Sequence, residues 1–153
     1  MRQVSRVGWF LALAAGFCLL LVAPASAQTS AGIRAGLSVD PDQFYFGGYV
    51  ETPPLFDQLR FKPNIEIGVG NDVTVVAMNI EFVYVFPSQR DWNVYAGAGP
   101  ALIIADTKTD TSSGGGFNLL VGAAHQSGLF TEFKVGFVDS PNLKIGVGYS
   151  FGR

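Results

Sequence analysis

The chain has 153 residues and a formal net charge of −2, and 14% of its residues are charged, against about 25% in typical soluble domains. Glycine and phenylalanine are abundant, with 19 and 13 copies, and no basic patch indicates a nucleic-acid partner. Cysteine occurs once, which excludes a disulfide framework within the chain.

Residues 1–27 have the order of a secretory signal peptide. Two arginines within the first six residues precede an apolar run, and Ala25-Ser26-Ala27 predicts cleavage before Gln28. An uncleaved membrane anchor is the alternative, but the run is short for a span of about 20 residues. The predicted mature domain, residues 28–153, contains no cysteine and carries 8 basic and 12 acidic residues, for a net charge of −4.

Alternation of apolar and polar residues is the dominant signal in this domain. In chain order, the period of two predicts strands at about residues 31–39, 43–51, 59–69, 73–86, 92–105, 116–125, 129–138 and 143–151. Turns rich in proline, glycine and asparagine separate them, and such short connections favour antiparallel neighbours. Eight strands of about ten residues each predict an all-β fold, namely an eight-stranded antiparallel up-and-down transmembrane β-barrel.

Two details of this pattern lead to separate expectations. Pro63 and Pro100 lie within predicted strands, where each removes a ladder hydrogen bond, so we expect local bulges there. The longest predicted loop, about Asp106–Gly115, is polar and then glycine-rich, which favours a solvated surface loop. A phosphate site is disfavoured because no helix follows the loop, whereas contact with a surface partner remains open.

The two faces of the predicted strands differ sharply in polarity. The polar face carries nine ionisable residues: Arg34, Glu51, Arg60, Lys62, Glu66, Glu81, Glu132, Lys134 and Lys144. A soluble barrel would turn this face to water, whereas a membrane barrel turns it to the lumen.

With both termini on the periplasmic side, the apolar face has one aromatic belt at each rim. The belts are Phe61, Tyr84, Phe86, Trp92, Tyr149 and Phe151 near the periplasm, and Phe44, Phe46, Phe117 and Phe137 near the outside. They favour the membrane barrel.

The last strand carries a recognisable motif. The segment from Lys144 to Phe151 resembles the C-terminal β-signal of outer-membrane barrels, with matches at Lys144, Gly146, Tyr149 and Phe151. It departs from that signal in that two residues follow Phe151. The segment from Trp92 to Gly99 is similar to the fifth strand of small OmpA/OmpX-type barrels, often grouped as porin-family proteins.

This resemblance implies an integral protein of the outer membrane of a diderm, Gram-negative-type bacterium. The partners it implies are outer-membrane lipid and, during biogenesis, the outer-membrane assembly machinery, which reads the last strand. We expect a monomer.

The charges on the polar face bear on function. An eight-stranded barrel is just wide enough to be filled by its own side chains, and buried charges persist only when they are paired. The five basic and four acidic residues therefore predict a salt-bridge network that plugs the lumen. Such a barrel would have a structural role in envelope integrity or a surface-interaction role. A narrow passive pore, lined by the same charges, is the alternative.

Two other functional classes are compatible with parts of the pattern. A soluble periplasmic, lipocalin-like barrel that binds an apolar ligand would share the signal peptide and the alternation, but it needs neither aromatic belts nor the terminal motif. An enzyme would need a base near a nucleophile, and the single histidine, His125, is predicted on the apolar face beside a tight turn at the periplasmic rim. We therefore expect no catalytic, cofactor-binding or metal-binding residues.

Overall fold

Eight β-strands follow one another along the chain, and each pairs with the next in an antiparallel sense. The computed structural model describes residues 29–152, so the predicted signal peptide and its cleavage site lie outside the described residues. The strands are β1 (Ser30–Val39), β2 (Gln43–Glu51), β3 (Leu59–Val69), β4 (Val73–Val85), β5 (Trp92–Thr107), β6 (Thr111–His125), β7 (Leu129–Val138) and β8 (Leu143–Phe151).

The sheet closes on itself where the last strand pairs with the first. Pairing between β1 and β8 runs from Ala31↔Phe151 to Val39↔Leu143, which leaves the sheet without a free side edge along these strands. The predicted eight-stranded antiparallel barrel is therefore confirmed. Within the described residues, no helix is long and apolar enough to span a membrane.

The period of two determines which side chains enter the barrel. In β8, Lys144 and Ser150 are buried inside, while Ile145, Val147 and Tyr149 are exposed on the outer wall. This follows because successive side chains of a strand point to opposite faces. The same arrangement recurs around the barrel, so the charged side chains of the strands lie mostly inside and most of the large apolar side chains lie outside.

No bulge accompanies Pro100, so that expectation is wrong. Strands β4 and β5 keep one register on both sides of the proline, with Asn79↔Ala101 on one side and Phe82↔Ala98 on the other. A bulge would add a residue to one strand and change the register. The barrel instead tolerates a short lapse in pairing beside Pro100, where the missing N–H removes a ladder bond.

Pro63 is accommodated in the same way, without the predicted bulge. Continuous pairing of β2 with β3 ends at Tyr49↔Asn64, next to the proline. The same register resumes beyond it, where the Thr52 N–H donates to the Phe61 carbonyl oxygen at 2.9 Å. Each proline thus removes local hydrogen bonding while the strand order and the facing of the side chains are preserved.

The predicted loop at 106–115 is largely strand, so this expectation is also wrong. β5 continues to Thr107 and β6 begins at Thr111, which leaves only residues 108–110 as the connection. Pairing of the two strands extends to Asp106↔Thr111. Serine and glycine are poor strand formers, but here they gain a complete ladder partner in β5, and this tertiary pairing overrides their propensity.

Connection lengths differ between the two ends of the barrel. The end that holds both termini, hereafter the terminal end, has the longer connections, residues 52–58 and 86–91, besides the short turn at 126–128. The opposite, distal end has only short turns, at residues 40–42, 70–72, 108–110 and 139–142. The distal end therefore offers little loop surface beyond the paired tip of β5 and β6.

Candidate functional site in the barrel lumen

Seven ionisable side chains meet inside the barrel, and together they are referred to below as the central charge cluster. Its members are Arg34 of β1, Lys62 and Glu66 of β3, Glu81 of β4, Glu132 and Lys134 of β7, and Lys144 of β8. Each is at most 4% exposed. Five strands therefore contribute charged side chains to one buried layer. Each of these side chains occupies an inward-facing position of its strand.

Glu66 binds three cations. Its Oε1 lies 2.9 Å from Lys134 Nζ and 3.3 Å from Arg34 Nη1, and its Oε2 lies 2.6 Å from Lys144 Nζ. Both carboxylate oxygens thus accept charge-assisted hydrogen bonds, which are the stronger kind. Glu66 connects β3 across the lumen to β7, β8 and β1.

Glu132 is the second centre of the cluster. Its Oε1 lies 2.5 Å from Arg34 Nη1, and its Oε2 lies 3.2 Å from Lys62 Nζ. The Tyr95 hydroxyl also donates to Oε2, at 2.8 Å. Arg34 therefore lies between two carboxylates, Glu66 and Glu132, and joins the two halves of the cluster.

Glu81 ends a chain of amide hydrogen bonds that follows the inner wall of the barrel. Asn118 donates to Asn79 at 2.8 Å, Asn79 donates to Asn64 at 2.7 Å, and Asn64 donates to Glu81 at 2.7 Å. Lys134 Nζ, 2.6 Å away, neutralises the same carboxylate. All three asparagines are almost wholly buried, so these bonds replace the water that each amide gives up.

An aromatic layer lies on the terminal-end side of the cluster. The Lys62 ammonium lies 4.5 Å from the ring centre of Tyr49, 4.9 Å from that of Tyr95 and 5.2 Å from that of Phe130. These are cation–π distances, and they are favourable where water is excluded. Val83 packs with these rings in one buried cluster.

Glycines on the lumen face make room for this layer. A Cβ on Gly122 would overlap the Tyr95 ring, and a Cβ on Gly148 would overlap the Phe130 ring. These two glycines of the polar face are therefore recesses that receive aromatic rings from neighbouring strands, whereas others, such as Gly36, lie against the backbone of the adjacent strand.

The distal part of the lumen is apolar on one side. Val75, Ala77, Ala101 and Ile103, from β4 and β5, form a second buried hydrophobic cluster. The inward face is thus less uniformly polar than the sequence pattern indicates. Its charges are concentrated in one layer between two regions that contain apolar packing.

Two of the nine predicted lumen charges lie apart from this layer. Arg60 Nη1 pairs with Glu51 Oε1 at 3.1 Å near the terminal end, and the Arg60 side chain is 26% exposed. The structure brings the other seven together.

The inward asparagines and aromatic residues were not singled out from the sequence as site residues. Their spacing from the predicted lumen charges could have identified them as inward-facing residues. Asn64 lies two residues from Lys62 and Glu66, and Phe130 lies two residues before Glu132. Residues at such even offsets share a face of a strand.

The predicted assembly residues divide between the two faces of β8. Lys144 and Gly146 face the lumen, where Lys144 binds Glu66 and the Tyr45 hydroxyl occupies the space beside Gly146. Tyr149 and Phe151 point outward, with ring centres 5.3 Å apart.

The predicted aromatic belts lie on the outer wall. Phe61, Tyr84, Phe86, Trp92, Tyr149 and Phe151 are near the terminal end, and Phe44, Phe46, Phe117 and Phe137 are toward the distal end. Phe82 and Phe133 also point outward between them, so the intervening band is not purely aliphatic.

His125 is the last residue of β6 and lies beside the turn at 126–128, on the outer side of the terminal end. Its ring packs against Trp92 with centres 5.0 Å apart, and its Nδ1 lies 2.8 Å from Ser127 Oγ and accepts the Ser127 N–H at 3.1 Å. These contacts close the turn between β6 and β7. Among residues 29–152, no group of three or more His, Cys, Asp or Glu side chains could hold a metal ion.

Known proteins match this chain in fold, but none matches it in sequence. No protein-family profile matches the chain, and no curated protein matches it. Neisserial surface protein A (NspA) matches with a TM-score of 0.65 and 15% identity, over 82% of this chain and 96% of that one.

Two further solved structures have the same fold. The N-terminal β-barrel domain of Pseudomonas aeruginosa OprF has a TM-score of 0.57 and 15% identity, over 81% of this chain and 98% of that one. A de novo designed transmembrane β-barrel has a TM-score of 0.56 and 12% identity, over 83% of this chain and 98% of that one. The resemblance to small OmpA/OmpX-type barrels is therefore confirmed at the level of the fold.

Proposed function

We propose that this protein is a small integral outer-membrane barrel that acts as a closed structural element of the envelope, with a lumen filled by its own side chains. One observation carries the proposal. The side chains of Arg34, Glu66 and Glu81 are at most 1% exposed, although these are charged groups at the centre of the barrel. Charged groups that are shielded so completely from water are stable only when they pair with opposite charges.

The outer wall supports the membrane part of the proposal. Large apolar side chains such as Ile33, Leu37 and Val147 are exposed there, in a band that encircles the barrel. Soluble monomers rarely expose contiguous apolar patches of more than a few hundred Å². Lipid is the medium in which an apolar exterior around a polar interior is stable. A soluble lipocalin-like barrel would need the reverse arrangement, with an apolar interior for its ligand.

The interior favours a closed barrel over a narrow passive pore. A selectivity lining works by presenting charges to ions that pass. Here the carboxylates of Glu66, Glu81 and Glu132 bind lysine and arginine within the protein instead. On the terminal-end side, aromatic rings pack around Lys62.

The connections favour a structural role over recognition by surface loops. Outer-membrane barrels usually carry their longer loops on the extracellular side. If the termini are periplasmic, the extracellular connections of this chain are short turns, as at 70–72 and 139–142. Such turns leave little area for a partner.

The proposal includes the route to the membrane. Residues 1–27 direct export, cleavage occurs before Gln28, and the assembly machinery inserts the barrel by reading Tyr149 and Phe151 of the last strand. The inserted protein is a monomer surrounded by outer-membrane lipid. No catalytic step is part of the proposal.

Envelope fractionation and planar-bilayer recordings test the proposal together. We expect the protein in the outer-membrane fraction, with a mature N-terminus at Gln28 and a migration on detergent gels that changes on heating. Reconstituted protein should give no steady channel current. Recovery as a soluble periplasmic protein would overturn the membrane barrel. A stable ion current would overturn the filled lumen and favour the pore.

A further inference from the structure

The connection between β2 and β3, residues 52–58, exposes two large apolar side chains at its tip. Leu55 is 58% exposed and Phe56 is 79% exposed. Apolar surface left in water loses the free energy that its burial in an apolar phase would provide. Covering the tip with another apolar phase would therefore stabilise it.

The loop holds this tip in a fixed shape. The Leu55 N–H donates to the Leu59 carbonyl at 2.8 Å, and the Leu59 N–H donates to the Phe56 carbonyl at 2.9 Å. Pro53 and Pro54 precede the tip and restrict its backbone further. The two side chains are thus presented by an ordered loop rather than by a segment free to fold them away.

The base of the loop is hydrogen-bonded to β4. The Tyr84 hydroxyl donates to Asp57 Oδ2 at 3.1 Å, and the Val85 N–H donates to the Gln58 carbonyl at 3.2 Å. Tyr84 points outward and contacts Phe86, with ring centres 5.3 Å apart. Asp57, the residue next to the tip, is therefore held against an outward-facing aromatic residue at the terminal end of β4.

We propose that Leu55 and Phe56 insert into the interfacial region of the bilayer and anchor the terminal end of the barrel to lipid. This inference rests on the proposed function, because it requires that the outer wall faces a membrane. Aromatic and large aliphatic side chains partition favourably at the headgroup–acyl boundary. The acidic residue of the loop, Asp57, is already bonded by Tyr84, so its carboxylate has a partner at that depth.

A lipid surface fits this tip better than a protein partner does. Stable protein interfaces bury about 1,200 Å² or more in total, and two side chains on one loop cannot supply that area. An interfacial anchor needs only a few apolar side chains, because the barrel itself already holds the loop at the membrane surface.

Tryptophan fluorescence with brominated lipids tests the anchor. Each probe variant combines Trp92→Phe with one new tryptophan, which is then the sole tryptophan of residues 28–153, and is reconstituted in phosphatidylcholine vesicles with brominated or ordinary chains. Phe56→Trp reports the loop tip, Val147→Trp reports the middle of the outer wall, and Gln89→Trp reports the other long terminal-end connection. We expect the tip probe to show blue-shifted emission and strong quenching by bromines placed near the headgroup.

The controls separate the two proposals. The wall probe should be quenched by bromines placed deep in the chains, and the probe in the other connection should be quenched little. An unquenched, red-shifted tip probe together with a quenched wall probe would overturn the anchor and leave the membrane barrel standing. An unquenched wall probe would instead overturn the proposed function.

Two further outcomes are covered by the same design. A tip probe that is blue-shifted but unquenched would indicate a protein partner, such as a second copy of this chain, and would also overturn the anchor. If the Phe56→Trp variant does not fold, Leu55→Trp reports on the same tip and is judged by the same criteria.

Discussion

Lys134 on β7 and Lys144 on β8 are direct cross-strand partners on the lumen face, and both ammonium groups bind the carboxylate of Glu66. Like charges opposite each other destabilise a strand pair. Glu66 comes from β3, which pairs with neither β7 nor β8, so the repulsion is cancelled from across the lumen. The last hairpin of the barrel therefore depends on a residue that lies far before it in the chain.

Replacing Glu66 by glutamine should destabilise the barrel strongly. Glu66→Gln preserves shape but leaves Lys134 and Lys144 facing each other without their shared counter-charge. We expect the free energy of unfolding to fall by about 3–5 kcal/mol, as when one partner of a buried ion pair is removed. Urea unfolding in lipid vesicles, followed by Trp92 fluorescence, measures this change.

An exposed ion pair provides the matched control for this variant. Lys108 and Asp72 lie 3.2 Å apart, with side chains 80% and 84% exposed, so Asp72→Asn should have little effect. Adding Lys144→Met to Glu66→Gln should recover part of the lost stability, because it removes one of the two facing cations. Equal effects of Glu66→Gln and Asp72→Asn would contradict the importance of the central charge cluster.

The recesses that receive aromatic rings should not tolerate even a methyl group. Gly148→Ala would place a Cβ against both the Phe130 ring and the Ile33 carbonyl oxygen, and should cost about 1–3 kcal/mol, the usual penalty of overpacking. Gly115→Ala is the matched control, because a Cβ there has no neighbour within 4 Å. Thermal unfolding of the two variants should differ clearly. Similar midpoints would show that the barrel can adjust at both Phe130 and the Ile33 backbone without loss of stability.

Two variants distinguish the effect of the terminal motif on insertion from that of the aromatic belt. If the assembly machinery reads the last strand, Tyr149→Ala should reduce insertion and leave protein in the periplasm. Trp92→Ala removes a belt residue of the same exposure, 44%, from β5. Envelope fractionation should reveal a larger loss for Tyr149→Ala. Equal losses would assign the effect to the belt and refute a signal in the last strand.

Amide hydrogen exchange should distinguish the tip of β6 from a loop. Residues 111–115 pair with β5 but extend beyond the pairing with β7, which begins at Gly116↔Val138. Alternate amides of this segment should therefore be protected, while those between them exchange quickly. Residues 117–124, which pair on both sides, should be protected throughout. Uniformly fast exchange over 111–115 would restore the interpretation as a flexible loop.

The sequence by itself determined the number of strands, their approximate bounds and the facing of most side chains. The reason is that alternation is a local property. Lys144 and Ile145 must point to opposite sides of any strand that contains them, whatever that strand pairs with. The bulges expected at Pro63 and Pro100 are absent for the opposite reason. The effect of a proline depends on how the neighbouring strands accommodate the missing hydrogen-bond donor, which is not a local property.

Only the tertiary structure decided which inward residues meet. Arg34 and Glu132 are 98 residues apart and lie on strands separated by β8, yet they form an ion pair of 2.5 Å. Their meeting depends on barrel closure and on the register of every strand pair, which alternation does not specify. The exposure of Phe56 was likewise evident only from the tertiary structure, because Phe56 lies in a connection between strands, where alternation does not specify which way a side chain faces.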